Sequence, residues 1–310
     1  MADAAVREVG PSAPESGVLG GAVRSAGQAG RLPSYTGRRL LRNRNVVVGG
    51  LTLIVFVAAA LFANTISSHD PTRLEPARRL QAPSAAHYLG TDEFGRDVWS
   101  LVVHGSRVSL VVGLATMVLT SLVGVVIGVV AGYYRRVDLV LMRVMDGLMA
   151  FPAILLAIAL MAARGPGVWN VIMALSVVYT PRTAMLIRST VLTVRELDYV
   201  EAARALGRRD AGIAARHIVP SCVAPLLVQG SFIFAYAILA EAILGFLGVG
   251  VPPYVPSWGN VIASGKNVMR EAFWVSLFPG VALTIAGLSL NLVGDGLRDT
   301  LDPRLAHSQR

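Results

Sequence analysis

Apolar residues run in long blocks along this chain, and the charges collect between them. No Asp, Glu, Lys or Arg occurs in 45–69, 108–134, 147–163, 165–181, 217–240, 242–265 or 272–294. A run of about 20 apolar residues is long enough to cross a bilayer as a helix. The blocks predict six membrane helices, near 46–64, 106–132, 147–163, 167–187, 228–248 and 273–293. The third and fourth are short, divided by Arg164 and the Gly165-Pro166-Gly167 turn. The 249–265 gap differs in kind: VGVPPYVPSWGNVIASG is rich in Pro and Gly and reads as a loop. The fold class expected is an all-α integral membrane protein with six transmembrane helices. Packing all these blocks inside a soluble protein would leave too little polar surface.

Composition agrees. Only 15% of the 310 residues are charged, against about 25% in a soluble domain. A formal charge of +9 on a soluble chain suggests nucleic acid, but here the placement of the charge matters more. Seven Arg and three acids (Asp3, Glu8, Glu15) precede the first predicted helix. Of these Arg residues, Arg38, Arg39, Arg42 and Arg44 flank the helix, where they can meet anionic headgroups. Arg135, Arg136 and Arg143 lie in the next loop of this set, and Arg188, Arg195, Arg204, Arg208, Arg209 and Arg216 in the one after. Basic loops sit in the cytoplasm. Both termini are therefore expected inside a cytoplasmic (plasma) membrane, with 65–105 and 249–272 outside. Membrane lipid is an expected partner and nucleic acid is not. Residues 1–45 form a basic cytoplasmic tail, rich in Gly, Ala, Ser and Pro and expected to be disordered up to about Pro33. The first helix is too long and poorly placed for a cleaved signal peptide.

Cys222 is the single cysteine, which excludes an internal disulfide and a CxxC metal cluster. His69, His87, His104, His217 and His307 are scattered, so no metal site is expected. No GxxxxGK[ST] string is present, so ATP hydrolysis by the P-loop route is excluded for this chain. No catalytic residue is assigned and no cofactor is expected on it.

Four regions carry candidate function. Residues 88–110, YLGTDEFGRDVWSLVVHGSRVSL, hold two turns. Thr91 or Asp92 can cap a short helix there, and Asp97 can cap the helix beginning at Val98. Arg96 can pair with Asp92 or Asp97. Gly90-Thr91-Asp92 and Gly95-Arg96-Asp97, with Gly105, Arg107 and Ser109-Leu110 after them, resemble the signature before the second helix of dipeptide, oligopeptide and nickel permeases. The resemblance implies an external segment that helps close the outer mouth and meets a binding protein. His104 stands where that family often has Tyr.

In 135–152, RRVDLVLMRVMDGLMAFP, Arg143 and Asp146 are placed for an i,i+3 pair. Pro152 falls in the first turns of the third helix, where its missing N–H costs least. The spacing of Asp138, Met142-Arg143, Asp146 and Phe151-Pro152 is again similar to these permeases.

The segment EAARALGRRDAGIAARHIVP, 201–220, is polar and charged between apolar runs. Ala202, Ala203 and Ala205 give a smooth helical surface, Gly207 ends or bends it, and Asp210 can N-cap a short helix over 211–217. Pro220 and Pro225 break the chain before the fifth helix, and Glu201 can accept contacts that lock the two pieces together. Such a helix, with Arg208, Arg209 and Arg216, fits docking on a partner and anchoring on anionic lipid equally well. The pattern Tyr199-Val200-Glu201-Ala202-Ala203, Ala205-Leu206-Gly207 and His217-Ile218 with Pro220 resembles the "EAA" loop of ABC-importer permeases. That resemblance implies docking of a coupling helix on a nucleotide-binding subunit. Ser221 stands where the family's Asn follows the proline.

Glu241 lies within the fifth helix, where an unpaired charge costs about 2.5–3.5 kcal/mol on the insertion scale. It should face the bundle or pore, as a packed structural acid, a contact for cargo, or a proton carrier. Glu241-Ala242 and Gly245-Phe246-Leu247-Gly248 match a family motif that is mainly structural, with Gly245 in place of the usual Ser. Trp258 in the outer loop can anchor at the interface. Pro279-Gly280 can kink the sixth helix, and Asn291, Gly294-Asp295-Gly296, Arg298-Asp299 and Asp302-Pro303-Arg304 can cap it and brace the inner loops. This ending resembles the family's terminal signature.

The resemblance covers roughly 40–305 and five motifs in order. It implies a type I ABC importer permease of the dipeptide/oligopeptide/nickel family, similar to the C-type subunit of peptide transporters. The permease domain is placed at 46–305, with the external segment 65–105 and coupling loop 188–225, followed by a 306–310 tail. The implied partners are a B-type permease, two cytosolic ATPases carrying ATP and Mg, a binding protein outside, and peptide cargo. Nickel or another small solute fits the same motifs. An ion-coupled carrier is a rival of another class, but it needs more intramembrane charge than Glu241 supplies.

Overall fold

The computed structural model describes residues 40–301. Readings that fall on the tail before residue 40, on Asp302-Pro303-Arg304 and on 306–310 lie outside the described residues. Within them the chain is helical, and the β-pairing is one isolated bridge, Thr91 with Asp97.

Helix α1 is Arg44–Leu61 and α2 is Ala63–Ile66. After an irregular segment come α3, Val98–Tyr133, and α4, Arg135–Met149. Next are α5, Ala153–Arg164, and α6, Val168–Val194. A loop carries α7, Asp198–Ala205, and α8, Asp210–Ile213. A π-helical turn over Ala214–Ile218 runs into α9, Val219–Phe246. Last are α10, Trp258–Gly265, and α11, Trp274–Leu301. Among the described residues five helices are long and apolar enough to cross a membrane, or six if the bent pair α4–α5 is counted as one span.

Four expected boundaries differ. The third predicted helix, 147–163, takes its first turn from α4; the true break is at Ala150-Phe151-Pro152, where the two helices bend by 93°. Pro152 is the residue before α5, not inside it. The fifth helix begins at Val219, well before residue 228. Pro220 follows the π turn, and both it and Pro225 are carried inside continuous helix. The 249–265 loop holds α10, whose N-cap Ser257 accepts the Asn260 N–H at 3.2 Å. A helix this short is invisible to a test for long apolar runs.

The pair α3 and α6 makes the most extensive helix contact. Gly124, Gly128 and Gly132 repeat every fourth residue, so they share one face of α3. A Cβ on each would lie 2.7 Å from Thr183, from Ala184 and Ile187, and from Val191 respectively. Lipid tails give two helices no hydrophobic reason to associate, so close backbone packing at small residues supplies the attraction. Helix α9 packs on α3, α6 and α11, and α11 on α1. Gly296 closes the α11–α1 crossing: its Cβ would sit 2.4 Å from Val46, and Asn43 donates to its carbonyl at 3.4 Å.

Candidate functional site

The loop between α6 and α9 is built on a buried apolar underside. Val200, Ile213 and Ile218 are fully buried and cluster with Ile187, Val191 and Val194 of α6 and with Cys222. Gly207 ends α7 with φ +76°. Its N–H donates to Arg204 O at 2.9 Å and that of Arg208 to Ala203 O at 3.2 Å, the paired bonds of a left-handed helix end. The upper surface is left bare: Glu201, Ala202, Arg208 and Asp210 are exposed, Ala203 and His217 half-buried and Pro220 exposed. Leu206, at the tip, is 88% exposed.

Two expected contacts are replaced by others. Glu201 makes no side-chain hydrogen bond or ion pair among the described residues, so it does not lock the segments. Asp210 does not cap a separate helix. It opens α8, and its Oδ1 accepts the Tyr133 hydroxyl at 2.6 Å. That bond, the Arg195 Nη1 bond to Gly132 O at 2.9 Å and the apolar cluster tie the loop to the end of α3. The expected 211–217 helix does not stop at Pro220: α8, the π turn and α9 run on as one 37-residue helical stretch, Asp210–Phe246. No irregular chain separates the loop from the fifth span within this stretch. His217 Nε2 is buried with no partner, and its ring lies 5.9 Å from that of Tyr199.

Beneath the loop, Arg188 of α6 grips Asp138 of α4 through both carboxylate oxygens, with Nη2 donating at 2.6 Å. The expected Arg143–Asp146 pair is not formed; Asp146 is exposed. On α11, Asn291 is half-buried and Asp295 exposed, with neither making a side-chain bond among the described residues. Glycines rather than charges close that end, Gly294 with a Cβ position 2.5 Å from Ser231 Oγ and Gly296 against Val46.

The segment before α3 is a second constructed region. Asp92 is fully buried, and its Oδ1 accepts the Phe94 N–H at 2.9 Å and the Arg96 N–H at 2.8 Å. Its Oδ2 accepts Arg96 Nε at 2.7 Å. These bonds make a tight turn where a capped short helix is expected, and Gly95, at φ +75°, closes it. Asp97 caps α3 by accepting the Ser100 N–H at 2.9 Å. Its other oxygen meets His87 Nδ1 at 3.0 Å. The histidines are less scattered than their numbering implies. His69 stacks on His87 at 4.6 Å, and these two with Asp97 offer donor atoms within 4.8 Å of one another.

Glu241 is completely buried and is satisfied on one side. Ser109 Oγ of α3 donates to its Oε2 at 2.8 Å, and the same hydroxyl accepts the Trp258 N–H at 3.3 Å. The carboxyl thus joins α9, α3 and α10, while its Oε1 has no partner. Gly245 permits that junction, since a Cβ there would lie 3.0 Å from Asn260 Oδ1.

Apolar spans with a bent pair, and a helix anchored below and bare above at one end of the bundle, are the parts of a multi-pass transport permease. Residues 124–307 match the family described as the binding-protein-dependent transport system inner membrane component, and residues 34–83 match the N-terminal TM domain of oligopeptide transport permease C. The chain belongs to this family of transport permeases. A Brucella abortus protein provisionally named as a peptide transport system permease is 52% identical over 270 residues, covering 87% of this chain and 91% of the relative. The dipeptide transport system permease protein DppC of Alkalihalophilus pseudofirmus is 39% identical, covering 86% of this chain and 88% of its own. The glutathione transport system permease protein GsiD of Pectobacterium atrosepticum is also 39% identical, covering 86% and 90%.

Proposed function

We propose that this chain is a permease subunit of an ATP-driven importer of dipeptides or oligopeptides. Similarity to proteins named as peptide permeases over most of both chains supports the cargo class. The loop supports the energy source. Its apolar underside is consumed within the chain, and its upper face offers a bare Leu206 among Ala202, Ala205, Arg208 and Arg209. A single exposed large apolar side chain with small residues and arginines beside it in the sequence suits a groove on a protein better than the headgroup layer of a membrane, where apolar residues line one whole face. The occupant of that face is a nucleotide-binding subunit, one of two that bind ATP and Mg; a B-type permease completes the pathway and a binding protein delivers cargo. The basic loops and both termini face the cytoplasm in this arrangement, which puts Asp92, Gly95, Arg96 and Asp97 at the outer mouth.

The observation that carries the coupling role is the exposure of Leu206. Replacing it by Asp puts a charge into the docking groove and should reduce recovery of the ATPases with the purified permease at least tenfold, with the permease itself inserted normally. Undiminished recovery would count against docking at this loop.

A further inference from the structure

Helix α6 carries a cation at its middle. At 1.5 Å per residue, Arg182 lies about 21 Å from the Val168 end and about 18 Å from the Val194 end. The helix is about 40 Å long and a hydrocarbon layer about 30 Å thick, so wherever the layer falls along it Arg182 stays about 9 Å or more from its nearer edge. The side chain is exposed, and among the described residues it makes no hydrogen bond and no ion pair. The other arginines of this helix end are engaged: Arg188 by Asp138 and Arg195 by Glu196 and Gly132 O. An arginine facing lipid tails at this depth costs about 2.5–3.5 kcal/mol even on the mildest scale. Arg182 must therefore face water or a partner.

The face it shares supports the first. Ser189 and Thr193 follow on the same exposed stripe, and α6 is the least apolar of the five long spans. One turn away, Tyr179 donates its hydroxyl to the Tyr236 carbonyl of α9 at 3.3 Å. Tyr179 and Tyr236 also line a cavity of about 130 Å³ between α5, α6 and α9. The rest of that cavity's lining is apolar and Arg182 is not part of it. The polar stripe is Arg182 with Ser189 and Thr193, whose hydroxyls bond to carbonyls of their own helix, and a guanidinium beside two hydroxyls fits a water-facing wall better than a lipid face.

We propose that Arg182 is a cargo-binding residue of the translocation path, taking the C-terminal carboxylate of a peptide as it passes mid-membrane. The inference rests on the peptide reading above. A planar guanidinium meets a carboxylate through two parallel N–H bonds, and every linear peptide with a free C-terminus carries that group whatever its side chains. Recognition there discriminates by the terminus and tolerates sequence. A single residue also holds cargo loosely enough to release it.

The test uses the complete importer in liposomes, with uptake of a labelled dipeptide compared with that of its C-terminal amide. The binding protein's own preference is common to all variants and cancels in the comparison. Arg182→Gln should assemble with its partners and lower the acid-over-amide preference about tenfold or more, the range for a lost bond to a charged group. Arg182→Lys, which keeps the charge without the planar fork, should restore most of it. Equal loss for acid and amide would mark a structural role, and an unchanged preference would show that no carboxylate is read there; either overturns the inference alone. Loss of the partner permease from purified Arg182→Gln complex would assign the guanidinium to an acid of that subunit and overturn it likewise. A wild-type importer that takes up no peptide would overturn the peptide reading and this inference together.

Discussion

Gly95 and Gly207 have nearly the same left-handed backbone, φ +75° and +76°, in opposite surroundings. A Cβ on Gly95 would strike the Glu75 carbonyl oxygen at 1.9 Å, whereas a Cβ on Gly207 would meet nothing within 4 Å. The contrast extends to the regions around them. The turn before α3 directs two of its charges inward: Asp92 and Asp97 are buried and their oxygens are filled by N–H groups, Arg96, His87 and Ser100. The loop before α9 turns its charges outward and buries mainly aliphatic groups, with His217 Nε2 and Cys222 beside them. One region is braced within the chain, with only His87 Nε2 left unpaired among its buried polar atoms, and the other presents its charges outward, as the proposed docking requires. A region that must keep its shape alone satisfies its own polar groups, while one that binds a partner leaves them available.

Substitutions should separate the two regions by magnitude. Gly95→Ala combines backbone strain with a clash against a main-chain atom that cannot rotate away; the expected result is loss of most folded protein, read as monodisperse yield in detergent. Asp92→Ala strands the Arg96 guanidinium and two N–H groups, and breaking such a buried pair costs about 3–5 kcal/mol. A large fall in thermal midpoint, with Asp92→Asn in between, is expected. Gly207→Ala meets only the left-handed penalty, about 1–2 kcal/mol, so folded yield should survive with a modest shift in midpoint. Tyr133→Phe removes one partly exposed hydrogen bond to Asp210, worth about 0.5–1.5 kcal/mol, and should be the mildest of the four in a thermal scan. A Gly207→Ala variant as damaged as Gly95→Ala would erase the distinction between the regions.

Legibility in the sequence follows the same division. The spans could be read because entry into lipid depends on the apolar content of a local window, and each charge-free block marks one. Asp97 as a helix cap was legible, and the partner of Arg96 was narrowed to Asp92 or Asp97, of which the fold takes Asp92, because capping and short-range pairing act over a few residues. Arg182 was open to view as a lone charge inside the fourth predicted helix. The Gly124, Gly128, Gly132 repeat was likewise present in the spacing. The 93° bend at Pro152 and the continuity of α9 through Pro225 were misread, since proline marks a break only when neighbouring helices do not hold the chain straight.

The sequence by itself determined the class of protein, the order of its spans and the position of the charged loop between the fourth and fifth, because hydropathy and motif spacing are properties of neighbouring residues. The tertiary structure decided what each of those residues touches. It paired Asp138 with Arg188 instead of Arg143 with Asp146, gave Asp210 to Tyr133, brought His69 and His87 to Asp97, and buried Glu241 against Ser109 while leaving Arg182 bare. Each of these outcomes depends on which helix faces which across contacts between distant segments. Close packing at glycines sets those faces, and no local window of sequence contains both sides.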